Sequence, residues 1–280
     1  MSQEMNKNKP TKKTRGVKKM KSLKLATVGT LLFSTIVISG VGSVFAAPGP
    51  IPANRDTNAQ VKFIEDESPT DPTDPTDPDP EKPVDPVDPT DPEKPVDPGT
   101  NGPLSLDYAS SLDFGEQLIS TKNQTYFAKP QYLRGEDGKA DLNNPVPNYA
   151  QVTDKRGGEK GWSLSVKQNG QFKSVKEGKE LVGAEVTFKN GQVASVSNSK
   201  IPSVVKTSFS LKNDGTGVAE NIMSAAAGEG FGTWVYRAGD VSNMAESIAL
   251  SVPGSSVKDA DTYKTTLTWT LTDTPANSGE

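Results

Sequence analysis

The residues best suited to chemistry in this sequence are aromatic and hydroxylic. Two of its three tryptophans sit in Trp-x-Leu triplets inside strictly alternating runs. In Thr266-Leu267-Thr268-Trp269-Thr270-Leu271-Thr272, the side chains of Leu267, Trp269 and Leu271 point one way and the threonines the other. In Gly161-Trp162-Ser163-Leu164-Ser165-Val166, the apolar Trp162, Leu164 and Val166 oppose Ser163, Ser165 and Lys167. Two chemistries follow from that pattern. An exposed indole can act as a platform for the apolar C–H face of a sugar ring, with the hydroxyl row donating and accepting hydrogen bonds. Alternatively the indoles are core and the hydroxyls a solvated strand face, the ordinary role of an aromatic at strand spacing.

Other chemistry is scarce. The chain has no cysteine and no histidine. That removes thiolate nucleophiles, disulfides, Ser-His-Asp and Cys-His catalysis and most zinc sites. Glu136, Asp137 and Asp141 cluster, but Gly138 lies among them and the spacing is not that of an EF-hand loop, so they read as a solvated turn. No two acids sit on recognisable barrel-strand ends, as a two-carboxylate glycosidase would need. The expectation is no enzyme, no catalytic residue, no metal ligand and no cofactor.

The elements that position the triplets come late in the chain. Residues 1–24 hold nine basic residues against Glu4, an apolar run follows from Leu25 to Val44, and Val44-Phe45-Ala46 offers small or modest residues before a cut. Residues 1–46 therefore read as a secretory signal peptide, with no membrane span left after cleavage. Nine basic residues and one acid leave with it, so 22 Lys+Arg face 34 Asp+Glu in the mature chain. That balance disfavours a nucleic-acid partner. Residues 47–64 are a short segment, with Val61-Lys62-Phe63-Ile64 apolar enough for a small strand or docking peptide. Residues 65–103 are an acidic Asp-Pro repeat with 13 acids and two lysines; Asp79 to Pro86 recurs as Asp91 to Pro98. Proline favours extended backbone and like charges repel, which predicts a disordered, semi-rigid stalk on the order of 100 Å long.

Residues 104–280 read as one all-β, sandwich-like domain with at most one short helix. Strands are expected at Leu104–Tyr108, Val204–Leu211, Thr233–Tyr236 and Ile248–Val252. Glu185–Lys189 and Gln192–Val196 flank Asn190-Gly191 as a tight hairpin. Val218–Ala227 is the helix candidate, and Ala128–Gly161 reads as a long decorated loop. The two Trp-x-Leu strands are expected to be partners across a shared core. The residues end just past a strand, with no Leu-Pro-x-Thr-Gly signal, so covalent wall coupling is not expected.

Leu112-Asp113-Phe114-Gly115, the run from Pro147 to Gly157 leading into Gly161-Trp162, Gly232-Thr233-Trp234, and the run from Tyr263 to Leu271 together resemble the WxL domain of surface proteins of low-GC Gram-positive bacteria. The resemblance covers about 170 residues, and both motifs are intact. It implies a secreted protein, non-covalently attached to the cell wall through peptidoglycan, working beside companion surface proteins. The alternative is an interaction module that docks to a companion protein and reaches the wall indirectly. The resemblance points to Trp162, Leu164, Trp234, Tyr263, Trp269 and Leu271 as motif core or wall-binding residues. The charged loop Asp154-Lys155-Arg156 is a further candidate for contacting wall carboxylates.

Overall fold

Alternating apolar and polar residues become strand wherever the sequence carries them. The computed structural model describes residues 54–211 and 219–275; the signal-peptide reading and the start of the 47–64 segment lie outside them. Residues from Gln60 onward form one compact unit. Its strands are β1 (Leu104–Ala109), β2 (Gln124–Phe127), β3 (Tyr149–Asp154), β4 (Trp162–Gln168), β5 (Lys173–Ser174), β6 (Glu185–Phe188), β7 (Gly191–Ala194), β8 (Val204–Val205), β9 (Phe209–Ser210), β10 (Glu220–Ala225), β11 (Gly232–Ala238), β12 (Ile248–Val252), β13 (Tyr263–Lys264) and β14 (Leu267–Thr272). Three antiparallel sheets are ordered β1-β3-β11-β7, β14-β4-β10-β8 and β2-β12-β6-β9, with β13-β5 as a small pair. All three contribute to one apolar cluster that includes Val152, Trp162, Leu164, Ile222, Trp234, Tyr236 and Ile248. The all-β expectation holds; among the described residues the helical content is one 3-10 turn at Met244–Glu246.

Four local expectations are corrected. The Trp-x-Leu strands do not face each other across the core; β4 and β14 are hydrogen-bonded neighbours, with Trp269 opposite Val166 and Leu271 opposite Leu164. The Asn190-Gly191 turn does not close a hairpin, because β6 and β7 belong to different sheets. Asn190 is left-handed, with φ of 55°. Gly191 is required by proximity: a Cβ there would lie 2.2 Å from the Lys206 carbonyl and the Tyr236 hydroxyl. The chain passes a corner there, from one sheet to the next. The helix candidate at Val218–Ala227 begins outside the described residues, and its described part contains β10 (Glu220–Ala225) instead, held between β4 and β8. Its last four residues are all buried, so no helical face is left for solvent and the small residues fit between strands. The stretch Ala128–Gly161 is not one long loop. It contains β3, the strand between β1 and β11.

Every residue of β3 is buried, and the reason lies in the Asp-Pro run. The sequence predicts a stalk standing clear of the domain; the described residues 66–100 instead turn back and lie along it. The turns are built from the repeat itself. Asp74 Oδ1 accepts the backbone N–H of Thr76, Asp79 Oδ1 that of Glu81, and Asp88 Oδ1 that of Thr90. An aspartate that caps the N–H two residues on makes a self-contained turn, and proline between them fixes φ without needing a donor. The same composition that extends a chain in isolation therefore also folds it when a surface offers contacts. That surface is the outer face of the β1-β3-β11-β7 sheet.

Candidate functional site

The β4–β14 pair carries both triplets, and its two faces have opposite characters. Inward, Trp162, Leu164 and Val166 are fully buried. The indole Nε1–H of Trp162 donates to the Gly230 carbonyl at 2.9 Å. Two glycines make room for it. Gly161 has φ of 80° and Gly230 φ of 76°. A Cβ on Gly230 would sit 2.7 Å from the Trp162 Nε1, and one on Gly161 would sit 2.6 Å from the Ala225 carbonyl. On β14, Leu267, Trp269 and Leu271 are half-buried. They pack on the same core, with Trp269 edge-on to Phe188 at 6.5 Å between ring centroids. Trp234 is buried on β11, its Nε1–H given to the Phe231 carbonyl at 3.1 Å. Tyr263 is half-buried on β13, and its hydroxyl oxygen accepts the Asp259 N–H at 2.9 Å.

The outward face is a row of hydroxyls and one amide. Thr266, Thr268, Thr270 and Thr272 are exposed, opposite the half-exposed Ser163, Ser165 and Lys167. Ser163 Oγ and Thr272 Oγ1 are 2.7 Å apart. Asn169 Nδ2 donates to Thr266 Oγ1 at 2.9 Å and to Thr268 Oγ1 at 2.8 Å. This strip of pre-oriented hydroxyl and amide groups, with the cationic Lys167 opposite Thr268, suits a hydroxylated ligand. Residues quoted together in the sequence are thus divided by the strand: the indole of Trp162 is buried, while the threonines between the motif's apolar residues are exposed.

Matching the whole chain to known families decides the family. A model described as "WxL domain surface cell wall-binding" matches residues 52–275. The chain belongs to the WxL family. Searches of curated proteins and of solved structures returned no match. Membership as a cell wall-binding surface domain implies a location at the cell surface. Among the described residues no helix is long and apolar enough to cross a membrane.

The charged-loop candidate is accounted for within the WxL domain itself. Arg156 grips Asp154 with two bonds of 2.9 Å, from Nε to Oδ1 and from Nη2 to Oδ2, and Nη2 also donates to the Gly161 carbonyl at 2.7 Å. Both residues are buried, so they fasten the β3–β4 loop ahead of Trp162 instead of reaching for wall carboxylates. Lys155 pairs with Asp66 at 2.9 Å. Asp137 and Asp141 each accept an N–H two residues on, as solvated turns do, and the described residues hold no group of three or more metal-ligating acids.

A second polar constellation had no counterpart in the sequence reading. On the outer face of the first sheet, Asp107 accepts hydrogen bonds from Ser105 Oγ (2.5 Å), Gln151 Nε2 (2.9 Å) and Thr153 Oγ1 (2.6 Å). Burial is the dominant influence on this carboxyl and raises it to about 6, against the lowering effect of those donors and of Lys155. The alternation Tyr149-x-Gln151-x-Thr153 against Ala150 and Val152 was the available signal for this face.

Proposed function

We propose that this WxL protein is secreted and held non-covalently on peptidoglycan, with the outer face of β4–β14 as its contact with the glycan strand. The observation that carries this reading is the accessible hydroxyl and amide row of Thr266, Thr268, Thr270, Thr272, Ser163 and Asn169. The chain acts by binding and not as an enzyme. Sugar hydroxyls would exchange hydrogen bonds with the row, each modest and together additive, and half-buried Trp269 lies beneath it as a stiff support. The test is sedimentation of the mature chain with protease-treated sacculi. Retention is expected, with at least tenfold loss for the Thr268→Ala/Thr270→Ala pair at unchanged folding stability. A folded parent chain left wholly in the supernatant overturns the reading.

A second reading has its own observation. Val61, Phe63 and Ile64 are 73%, 87% and 82% exposed. They directly precede Glu65 and Asp66, which pair with Lys160 and Lys155. An apolar segment held out in this way favours docking to a companion surface protein. Binding to walls that keep their proteins, together with no binding to protease-treated walls, would put this reading first.

A further inference from the structure

The outer face of the β1-β3-β11-β7 sheet is covered by residues 71–98, and it is built like a receptor for them. Its donors read main-chain carbonyls. Gln151 Nε2 donates to Asp71 O at 3.0 Å, Arg237 Nη1 to Pro75 O at 3.0 Å, and Gln131 Nε2 to Val87 O at 2.7 Å. Arg134 Nη2 donates to Pro92 O at 2.9 Å and to Lys94 O at 2.8 Å, and Arg134 Nε pairs with Asp85 at 3.1 Å. Besides Val87, which is buried, Thr73 and Val96 of the run meet defined partners on the domain. Thr73, fully buried, gives both its N–H (2.7 Å) and its hydroxyl (2.9 Å) to Gln151 Oε1. Val96 packs on a cluster of Tyr108, Tyr149 and Val235, in which the two tyrosine rings lie 4.7 Å apart.

Three features separate this face from an ordinary interior. It is polar, with Asp107, Gln151, Thr153, Thr233 and Ser105 all buried. The covering run does not satisfy it fully: among the described residues the buried Tyr149 hydroxyl and Arg237 Nε have no hydrogen-bond partner, and these two residues are opposite each other in the β3–β11 register. The elements that fill the pockets also recur in the sequence. Thr-Asp-Pro occurs at residues 70–72, 73–75, 76–78 and 90–92, yet only Thr73 occupies the Gln151 pocket, and Val84 is the repeat equivalent of Val96. The run carries 13 acids against two lysines between residues 65 and 103, and it meets Arg134, Arg237 and Lys155 on the domain.

We propose that this face is a peptide-recognition groove for Thr-Asp-Pro segments folded through their own Asp-capped turns, filled by the chain's own residues 71–98 and able to take the same segment from a second copy of this chain. The attached segment holds the groove at the high effective concentration of a tethered ligand, so exchange requires it to lift off from the glycine-flanked connection at residues 99–102.

The test keeps the full mature chain and adds a protease site between Asn101 and Gly102. After cleavage, the N-terminal piece is expected to stay bound at micromolar concentration. A fluorescent synthetic peptide of residues 66–98, in excess, is expected to displace it and to bind the cleaved chain at least tenfold better than the uncut one. A peptide carrying Thr73→Val is expected to bind roughly tenfold more weakly, since it leaves the buried Gln151 Oε1 short of a donor. Absence of peptide uptake while the cleaved chain keeps its near-UV signal overturns the proposal. Loss of that signal on displacement overturns it too, since the run would then be a structural strand and not a ligand.

Discussion

Truncating the two motif tryptophans separately tests the division of the Trp-x-Leu pair into core and surface. Trp162 has no accessible surface, and its Nε1–H is committed to the Gly230 carbonyl. A buried Trp withdraws roughly 150–250 Å² from water, worth about 4–6 kcal/mol by area, and Trp→Ala in cores costs about 3–5 kcal/mol. Trp162→Ala also leaves the Gly230 carbonyl without its donor, at about 1–3 kcal/mol. The sum reaches half or more of a typical domain stability of about 5–15 kcal/mol. Trp269 is only half-buried, at the sheet edge, so Trp269→Ala should cost about 2–3 kcal/mol, half the area value. Urea unfolding of the mature chain, followed by circular dichroism so that loss of an indole does not alter the probe, gives the Trp269→Ala loss directly and a lower bound for Trp162→Ala. Trp162→Ala is expected to be largely unfolded in dilute buffer, and Trp269→Ala folded with a lower midpoint. A Trp162→Ala protein as stable as its parent, or a larger loss at position 269 than at 162, would refute the burial argument. If Trp162→Ala folded normally and only wall binding failed, the indole would be a ligand platform after all.

Three further outcomes are expected. Asp107 is raised from an ordinary carboxyl value near 3.8 to about 6 by burial, so the native state binds its proton more tightly than the unfolded chain. Its contribution is therefore fully present below pH 4 and lost as the pH rises through 6, by at most roughly 3 kcal/mol; thermal unfolding from pH 4.5 to 7.5 should show this slope in the parent and a flatter profile in Asp107→Asn. Arg156→Ala strands the buried carboxylate of Asp154 and should cost about 3–5 kcal/mol, whereas Lys155→Ala, which loses a pair with a largely exposed Asp66, should cost less than about 1 kcal/mol by the same denaturation assay. Gly230→Ala forces a left-handed alanine whose Cβ meets the Ala225 Cβ at 2.4 Å; a loss of about 2–4 kcal/mol is expected, measured by the shift in urea midpoint.

What could be read from the sequence follows from how each strand is covered. Trp162–Gln168 and Leu267–Thr272 each bury one face more than the other, and their alternation located them, while Ile248–Val252 is buried throughout except at Ser251 and showed as a short apolar run. Residues 149–154 alternate as well, but tyrosine, glutamine and threonine on the outer face made the stretch look like a polar connection. Nothing local reveals that a distant segment will cover that face. Residues 220–225 failed for a related reason: an Ala- and Ser-containing run that is buried almost throughout has neither a helical nor a strand period to display. The Asn-Gly dipeptide correctly marked a left-handed residue at 190, but a turn signal fixes only the turn and not whether the flanking strands pair. The site followed the same rule. The hydroxyl row on β14 was legible because it is local; the Asp107–Gln151–Thr73 constellation was not, because its members are up to 78 residues apart.

The Asp-Pro run shows the same logic at larger scale. Its composition argues for extension because charge repels and proline stiffens, and neither effect depends on the rest of the chain. Docking depends on both sides of a contact. An Asp-Pro-Thr step offers an internally capped turn and an outward carbonyl, and here the run's carbonyls are met by glutamine, arginine and lysine side chains and by main-chain N–H groups. Gln151, Gln131, Arg134 and Arg237 wait on strands or in connections after the run, and most of the bonds they make with it go to carbonyls that any sequence possesses, apart from Arg134 with Asp85 and Gln151 with the Thr73 N–H and hydroxyl. Specificity must then come from the few side chains of the run that are buried or packed on the domain, Thr73, Val87 and Val96. The repeat carries more such side chains than there are pockets to fill, which is why the register of docking is set by the domain's donors and not by the composition of the run.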